Sequence, residues 1–522
     1  MSNTGAITCG DLIKRGRALY GAQTALIFEE RRYTFAEQAA RMARLANALL
    51  GKGLRKQDRV AVLARNCSEY IECFGAGELA GFVTINLNCR LAQPELAAIC
   101  QDCQPHVLIY AVEFAAQANA IAAQVSSIRL KIEFGPGGAA SPYESLLASG
   151  SAEMPPVAPE PGDTAYIMYT SGTTGGAKGV MISHAAMAEA TRMLGCESGI
   201  LPTDKTLIVM PLFHLGGKIE QMNFSLMGAT VILKTAFDPD DILATIEREK
   251  ITAGHFAPLM VQRMVEVLDS KPYDVRTLRC VHYASAPMPV PALRKAIAKM
   301  GPIFVQVYGM TECLACTVLK AHHHLIDGSD AERRRLASAG QPLLGNEVKI
   351  VRDDGSSCAP GEIGEIVFRS PTAMTGYWNK STMTAEILRD GWLHTQDLGF
   401  VDDAGFVFVV DRKKDMIISG GENIYSWEVE EALRAHPAVA EVAVIAVPDK
   451  QWGESVKACV QLRPGSTATA DALIEHTRTL IASYKKPKSI DFVDSLPRLF
   501  NGKIDKKALR APYWQNQERQ VS

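Results

Sequence analysis

YTSGTTGGAKG (169–179) sets four glycines, four Ser/Thr hydroxyls and one lysine in eleven positions, and the apolar run AYIM (165–168) leads straight into it. The stretch is too polar and too rich in glycine for a core. It reads either as a surface loop or as a loop hung from a buried sheet, where backbone N–H groups and hydroxyls converge on an anion. It is not a Walker loop, which requires Gly-Lys followed by Ser or Thr. Lys178 follows Ala177 and precedes Gly179, and the other Gly-Lys pairs (51–52, 217–218, 502–503) lack a glycine five positions earlier. The rest of the chain has to decide what the loop holds.

With 522 residues the chain is too long for one core and divides into two or three domains. Hydrophobic residues make up 47% and charged residues 21%, an ordinary balance for a globular enzyme. A formal charge of -2 supplies no basic field for nucleic acid or an anionic membrane. Met1–Gly10 carry no basic residue, no apolar run nears the ~18 residues of a spanning helix, and Gln520-Val521-Ser522 is no peroxisomal address. A cytoplasmic protein without integral membrane association is expected. Cys100/Cys103 and Cys313/Cys316 each form C-x-x-C, but the pairs lie far apart, so buried reduced thiols are expected rather than a zinc ribbon. His322-His323-His324 reads as a solvated loop.

Thr34-Phe-Ala-Glu37 is a capping box for a helix that Gly51 and Gly53 end. RVAVLARN (59–66), VLIYAV (107–112), TLIVMPLF (206–213), ATVILK (229–234) and PIFVQVYG (302–309) read as buried strands, with helices such as 239–250 between them. Strands alternating with helices predict α/β layers. The Pro/Gly-rich 149–162 stretch reads as a linker within a large unit. Beyond the hairpin-like 399–410 stretch and the charged run DRKKD (411–415), helix 426–435, strands 441–447 and 456–462 and helix 470–483 make a small α/β domain.

YTSGTTGGAKGV resembles the phosphate-loop signature of the adenylate-forming superfamily. MPLFHLGG (210–217), YGMTE (308–312), GEIGEIVFRS (361–370), GWLHTQDLG (391–399), DRKKDMIISGGENIY (411–425) and PRLFNGKID (497–505) follow in the order of that superfamily's motifs, across nearly the whole chain. The likeness is nearest to AMP-forming acyl-CoA synthetases of fatty and other hydrophobic acids. It implies a large, multi-layered N-terminal domain (1–412), a hinge (413–415) and a small mobile C-terminal α/β domain (416–522). It also implies an ATP-dependent ligase that joins a carboxylic acid to coenzyme A through an acyl-adenylate, releasing AMP and pyrophosphate. The implied partners are small molecules, with Mg²⁺ as cofactor, ATP and CoA as cosubstrates, and a homodimer allowed.

By the same resemblance, Thr170, Ser171, Gly172, Thr173, Thr174, Gly175 and Lys178 bind the β- and γ-phosphates. Tyr308 stacks on adenine, beside Ser285 and Ala286, Thr311 binds the α-phosphate, and Glu312 is a hard ligand for Mg²⁺. Asp397 and Arg412 hold the ribose. Lys503 reaches the α-phosphate and the substrate carboxylate, Lys414 is the hinge residue, and Gly421 lines the pantetheine tunnel. His214, His282 and Val307 fall at acyl-lining positions. An aliphatic Val307 offers no counter-ion, which argues for a monocarboxylate with an apolar body, whether a medium or long chain, a ring or an aryl acid. The chain departs from the usual pattern where Gln396 replaces the glycine of Thr-Gly-Asp and Ala177 replaces a proline. Rival readings are an acyl-AMP ligase loading a separate carrier protein, a luciferase-like oxidase of an adenylate, and a catalytically dead nucleotide sensor.

Overall fold

The computed structural model describes residues 5–135, 141–170, 177–286, 288–419, 422–499 and 503–515. The chain forms two compact units, one of Met1–Glu347 with Phe368–Leu393, the other of Val348–Val367 with His394–Ser522. The expected α/β architecture of a large N-terminal and a small C-terminal part is present.

Two sheets build the larger unit. The seven-stranded one runs, edge to edge, Gly376–Tyr377, Lys178–Ser183, Thr164–Thr170, Val83–Asn86, Arg59–Leu63, Val107–Ala111 and Leu130–Phe134. Every residue of Val83–Asn86 and Val107–Ala111 is buried, as expected for parallel strands covered on both faces. The nine-stranded sheet places Cys280–Tyr283 between Ala253–Phe256 and Phe304–Met310, all parallel, and Phe304–Met310 then pairs antiparallel with Leu314–Leu319. Its core packs Leu207, Ile246, Phe256, Val281, Leu293 and Phe304. The capping box forms as read: Glu37 N–H donates to Thr34 Oγ1 at 3.2 Å, and Thr34 N–H donates back to Glu37 Oε2 at 2.8 Å.

Some readings need correction. The strand expected over 206–213 is Lys205–Ile208 alone, and by His214 the chain is already at the start of the Leu215–Met227 helix. The three histidines are not all solvated. A 3-10 turn, Ala321–His323, sends His324 inside, where Nε2 lies 3.0 Å from the Tyr283 hydroxyl and Nδ1 3.0 Å from the Lys320 carbonyl. Cys100, Cys103, Cys313 and Cys316 are buried. Among the described residues no helix is long and apolar enough to cross a membrane.

In the smaller unit Asp397–Val401 pair antiparallel with Val407–Arg412, and Gly405 takes the φ of +80° that the connecting turn requires. A five-stranded sheet follows, with Gly453–Leu462 lying between Val439–Asp449 and Ile417–Ser419. The Ser426–Arg434 and Ala470–Leu480 helices cover it over Ile417, Val429, Leu433, Val444, Val456 and Leu473. The charged run lies within this unit as a 3-10 turn, Lys413–Asp415, and contacts divide the chain upstream of it, at His394. That division follows from the 397–412 pairing and from the Thr395 hydroxyl, which donates to the Ile366 carbonyl at 2.7 Å.

Candidate active site

The two ends of the opening stretch lie on antiparallel paired strands of the larger unit. Thr170 and Lys178 are Cα partners there, and Tyr169 pairs with Gly179. Ser171, Gly172, Thr173, Thr174 and Gly175 lie outside the described residues. The strand pair is anchored by its neighbours: the Tyr169 hydroxyl donates to Asp102 Oδ2 at 2.5 Å, and Trp378 N–H donates to the Gly179 carbonyl at 2.8 Å. Lys178 Nζ lies 5.4 Å from the centroid of the Tyr377 ring, a cation–π distance. The Tyr377 hydroxyl in turn donates to Glu312 Oε1 at 2.8 Å. Burial first, then the Glu312 charge, holds the Tyr377 phenol well above its ordinary range, so it stays a donor.

Glu312 and Thr311 sit at the tip of the hairpin that joins Phe304–Met310 to Leu314–Leu319, Glu312 buried and Thr311 half-buried. Gly309 is required there, because a Cβ would lie 1.9 Å from the Leu314 carbonyl oxygen. The half-buried Tyr308 ring lies 6.2 Å from that of Phe368. Ser285 and Ala286 follow the Cys280–Tyr283 strand, and Ser285 has a φ of +72°. A left-handed serine costs roughly 1 kcal/mol or more, the kind of strain that gathers at binding sites.

The acyl candidates separate. Half-buried His214 immediately precedes the Leu215–Met227 helix, its ring 5.3 Å from Phe213, and Val307 is half-buried on its strand. His282 is fully buried, with Nδ1 2.9 Å from Glu220 Oε2 and Nε2 2.7 Å from Ser198 Oγ. Burial opposes the imidazolium, but Cys280 and Glu220 outweigh it and hold His282 well above its usual value. Both ring nitrogens of His282 are thus engaged inside the protein.

In the smaller unit Asp397, Arg412, Lys414 and Lys503 lie together. Arg412 Nε is 3.0 Å from Asp397 Oδ1, across paired strands, and Asp397 N–H donates to Thr395 Oγ1 at 3.0 Å. Gln396, in the usual glycine's place, has a φ of +60°, the left-handed geometry glycine takes freely, and its N–H donates to Glu365 Oε1 at 3.0 Å. The departure therefore changes the residue and keeps the backbone. The Lys503 carbonyl accepts from Leu499 N–H at 2.7 Å. Burial, then the Arg412 charge and Lys414, oppose Lys503 protonation while Asp397 favours it, and the amine is pushed down to about 8. Burial and Arg412 also lower Lys414. Gly421 lies outside the described residues.

Sequence reasoning missed Tyr377, Glu220 and His255. Gly376-Tyr377-Trp378 was the available signal for the first, but an aromatic after glycine carries no mark of a partner 65 residues away.

Residues 14–378 match the family model described as AMP-binding enzyme, and residues 428–503 match the AMP-binding enzyme C-terminal domain. A feruloyl-CoA synthase of Amycolatopsis sp is 38% identical over 478 residues, 91% of this chain and 93% of that protein. An indoleacetate–CoA ligase of Aromatoleum aromaticum is 37% identical over 503 residues, 95% of this chain and 96% of that one. Among solved structures, ATP-bound MatB from Rhodopseudomonas palustris superposes with a TM-score of 0.89 at 30% identity, over 97% of this chain and 99% of that one. The chain belongs to the AMP-binding enzyme family and stands among its acyl-CoA synthetases.

Proposed function

We propose that this enzyme joins an apolar monocarboxylic acid to coenzyme A, with ATP as the energy source and acyl-AMP as the intermediate. The observation that carries the reading is the cluster of Lys503, Arg412 and Asp397 in the smaller unit, with the Lys503 amine held near neutrality. In the first half-reaction the carboxylate oxygen attacks the α-phosphorus and pyrophosphate leaves. Negative charge gathers on the phosphoryl oxygens, and a lysine cation already in place stabilises it without reorganisation. Thr311 contributes a hydroxyl to the same oxygens, and Thr170 with Lys178 takes the departing phosphates. Asp397 and Arg412 fix the ribose, a carboxylate being an ordinary acceptor for vicinal hydroxyls. In the second half-reaction the thiol sulphur attacks the acyl carbon, its proton is released and AMP departs.

Glu312 suits Mg²⁺, which takes one or two carboxylates from a protein and its remaining ligands from phosphates and water. Tyr377 spends one carboxylate oxygen of Glu312 and orients the other. The ion supplies neutralisation of the triphosphate when bound. Lys414 is the hinge about which residues 416–522 turn between half-reactions, and Gly421 admits the pantetheine arm. The half-buried Val307 supports an acid without a second charge. The enzyme works in the cytoplasm on small molecules. The test is AMP release from ATP with a panel of carboxylic acids, with and without coenzyme A. Acid-dependent AMP release that requires the thiol supports the reading, and release that ignores coenzyme A but requires a carrier protein replaces it with the acyl-AMP ligase.

A further inference from the structure

Among the described residues two buried histidines, His184 and His255, have no hydrogen-bond partner for either ring nitrogen. Buried polar groups are ordinarily paired, so each requires an explanation. His184 opens the helix that Ser183 caps, and Cys9 donates to its carbonyl. His255 lies elsewhere, in the nine-stranded sheet among the acyl-lining candidates, and is 5% exposed.

Parallel pairing sets His255 level with His282, and His282 level with Val305. Register partners share a face, and Val307 lies two residues beyond Val305, hence on that face too. The Leu215–Met227 helix covers it, as the Glu220–His282 contact demonstrates. His255 therefore lies one residue before the end of its strand, Ala253–Phe256, below the level of Val307, and ligands of open α/β sheets bind outside the carboxyl ends of strands.

Gly216 sets the access. A Cβ built there would stand 3.1 Å from His255 Cε1, yet Gly216 itself is only half-buried. Glycine at 216 thus leaves this edge of the buried imidazole uncovered by any side chain from that position. The Gly216 backbone influences the ring's charge without meeting hydrogen-bonding geometry. Burial holds the imidazole below its ordinary pKa, against the pull of Glu220 and with the help of His282, so the ring is neutral at pH 7. A neutral imidazole offers one donor and one acceptor. That pairing suits a hydroxyl or ring N–H and leaves a carboxylate or ammonium group uncompensated.

We propose that His255 is a specificity-determining residue that hydrogen-bonds a neutral polar substituent, such as a phenolic hydroxyl, at the far end of the acid. The substrate class is then an aryl acid with one hydrogen-bonding group rather than a plain fatty acid. This rests on the acyl-CoA ligase reading above.

The experiment measures thioester formation with matched pairs: benzoate and 4-hydroxybenzoate, phenylacetate and 4-hydroxyphenylacetate, cinnamate and 4-hydroxycinnamate. In at least one pair the native enzyme should favour the hydroxylated acid in kcat/KM by roughly tenfold or more, since a site built to bond a hydroxyl discriminates against its absence. His255→Leu should shrink that preference to within about threefold. His255→Gln, which retains a donor and an acceptor, should keep most of the preference and guards against a folding defect in the leucine variant. No preference in any pair, or equal loss of both members in both variants, would overturn the assignment and leave His255 structural. Absence of thioester from every acid in the native enzyme would instead overturn the ligase reading, and this inference with it.

Discussion

Raising the pH from 7 to 9 should slow adenylate formation by about tenfold and leave thioester formation from preformed adenylate undiminished. The cause is Lys503, whose amine is pushed down to about 8 by burial and by Arg412 and Lys414. Only the cation stabilises the phosphoryl charge. A group ionising near 8 is ~90% protonated at pH 7 and ~10% at pH 9, and activity that depends on the proton falls in that ratio. An unperturbed lysine, near 10.4, would lose nothing over this range. The second half-reaction has the opposite sign, because a thiol ionising near 8.5 becomes more nucleophilic as the pH rises. The assay is single-turnover pyrophosphate release at subsaturating ATP, which reports the free enzyme, beside CoA consumption with synthetic acyl-AMP. Lys503→Ala should lower the first step by ~10²–10³ or more and flatten its pH profile, with the second step preserved. A native adenylation rate that stays level from pH 7 to 9, or a Lys503→Ala enzyme that still titrates, would refute the assignment. Equal impairment of both steps would refute the division of labour.

Tyr377→Phe removes one hydrogen bond to a buried carboxylate, worth about 1.5–3 kcal/mol, so pyrophosphate release should fall ~10- to 100-fold and need more Mg²⁺; an unchanged Mg²⁺ titration would separate Tyr377 from the metal's ligand. Gln396→Val should lower stability by about 1–2 kcal/mol in denaturant unfolding, because a β-branched residue resists the left-handed backbone, whereas Gln396→Gly should hold or gain. Equal midpoints for the two variants would mean that residue 396 relaxes to another geometry. Val307→Arg should raise kcat/KM for a short dicarboxylic acid and lower it for apolar acids; if neither moves, residue 307 does not face the acyl group.

The parts legible in the sequence were those set by neighbours along the chain. The Thr34–Glu37 box, the buried strands and the 397–412 hairpin each follow from residues within one or two turns of one another. What escaped depends on which distant segment folds against which. Nothing near His324 distinguishes it from His323 until the chain brings Tyr283 beside it. Nothing in a strand reading of His282 reveals that Ser198 and Glu220 engage both its nitrogens. The strand over 206–213 reads too long because its apolar run continues through Val209, Met210 and Leu212, residues that pack inside without joining the ladder. Apolar content reports burial, and a strand needs a partner as well.

The Lys178–Tyr377–Glu312 chain has an electrical consequence. A cation rests on the face of one phenol and an anion accepts from its hydroxyl, so opposite charges are buffered through a shared ring. The two reinforce each other, since donation to a carboxylate enriches the ring that the ammonium touches. A magnesium–triphosphate complex carries the same two signs, with phosphate for the lysine and metal for the glutamate. If Lys178 and Glu312 hold that complex as proposed, binding exchanges an internal pairing for external ones and leaves neither side chain uncompensated. The internal pairing thus gives the lysine a partner within the protein, where an unbuffered cationic pocket would store repulsion.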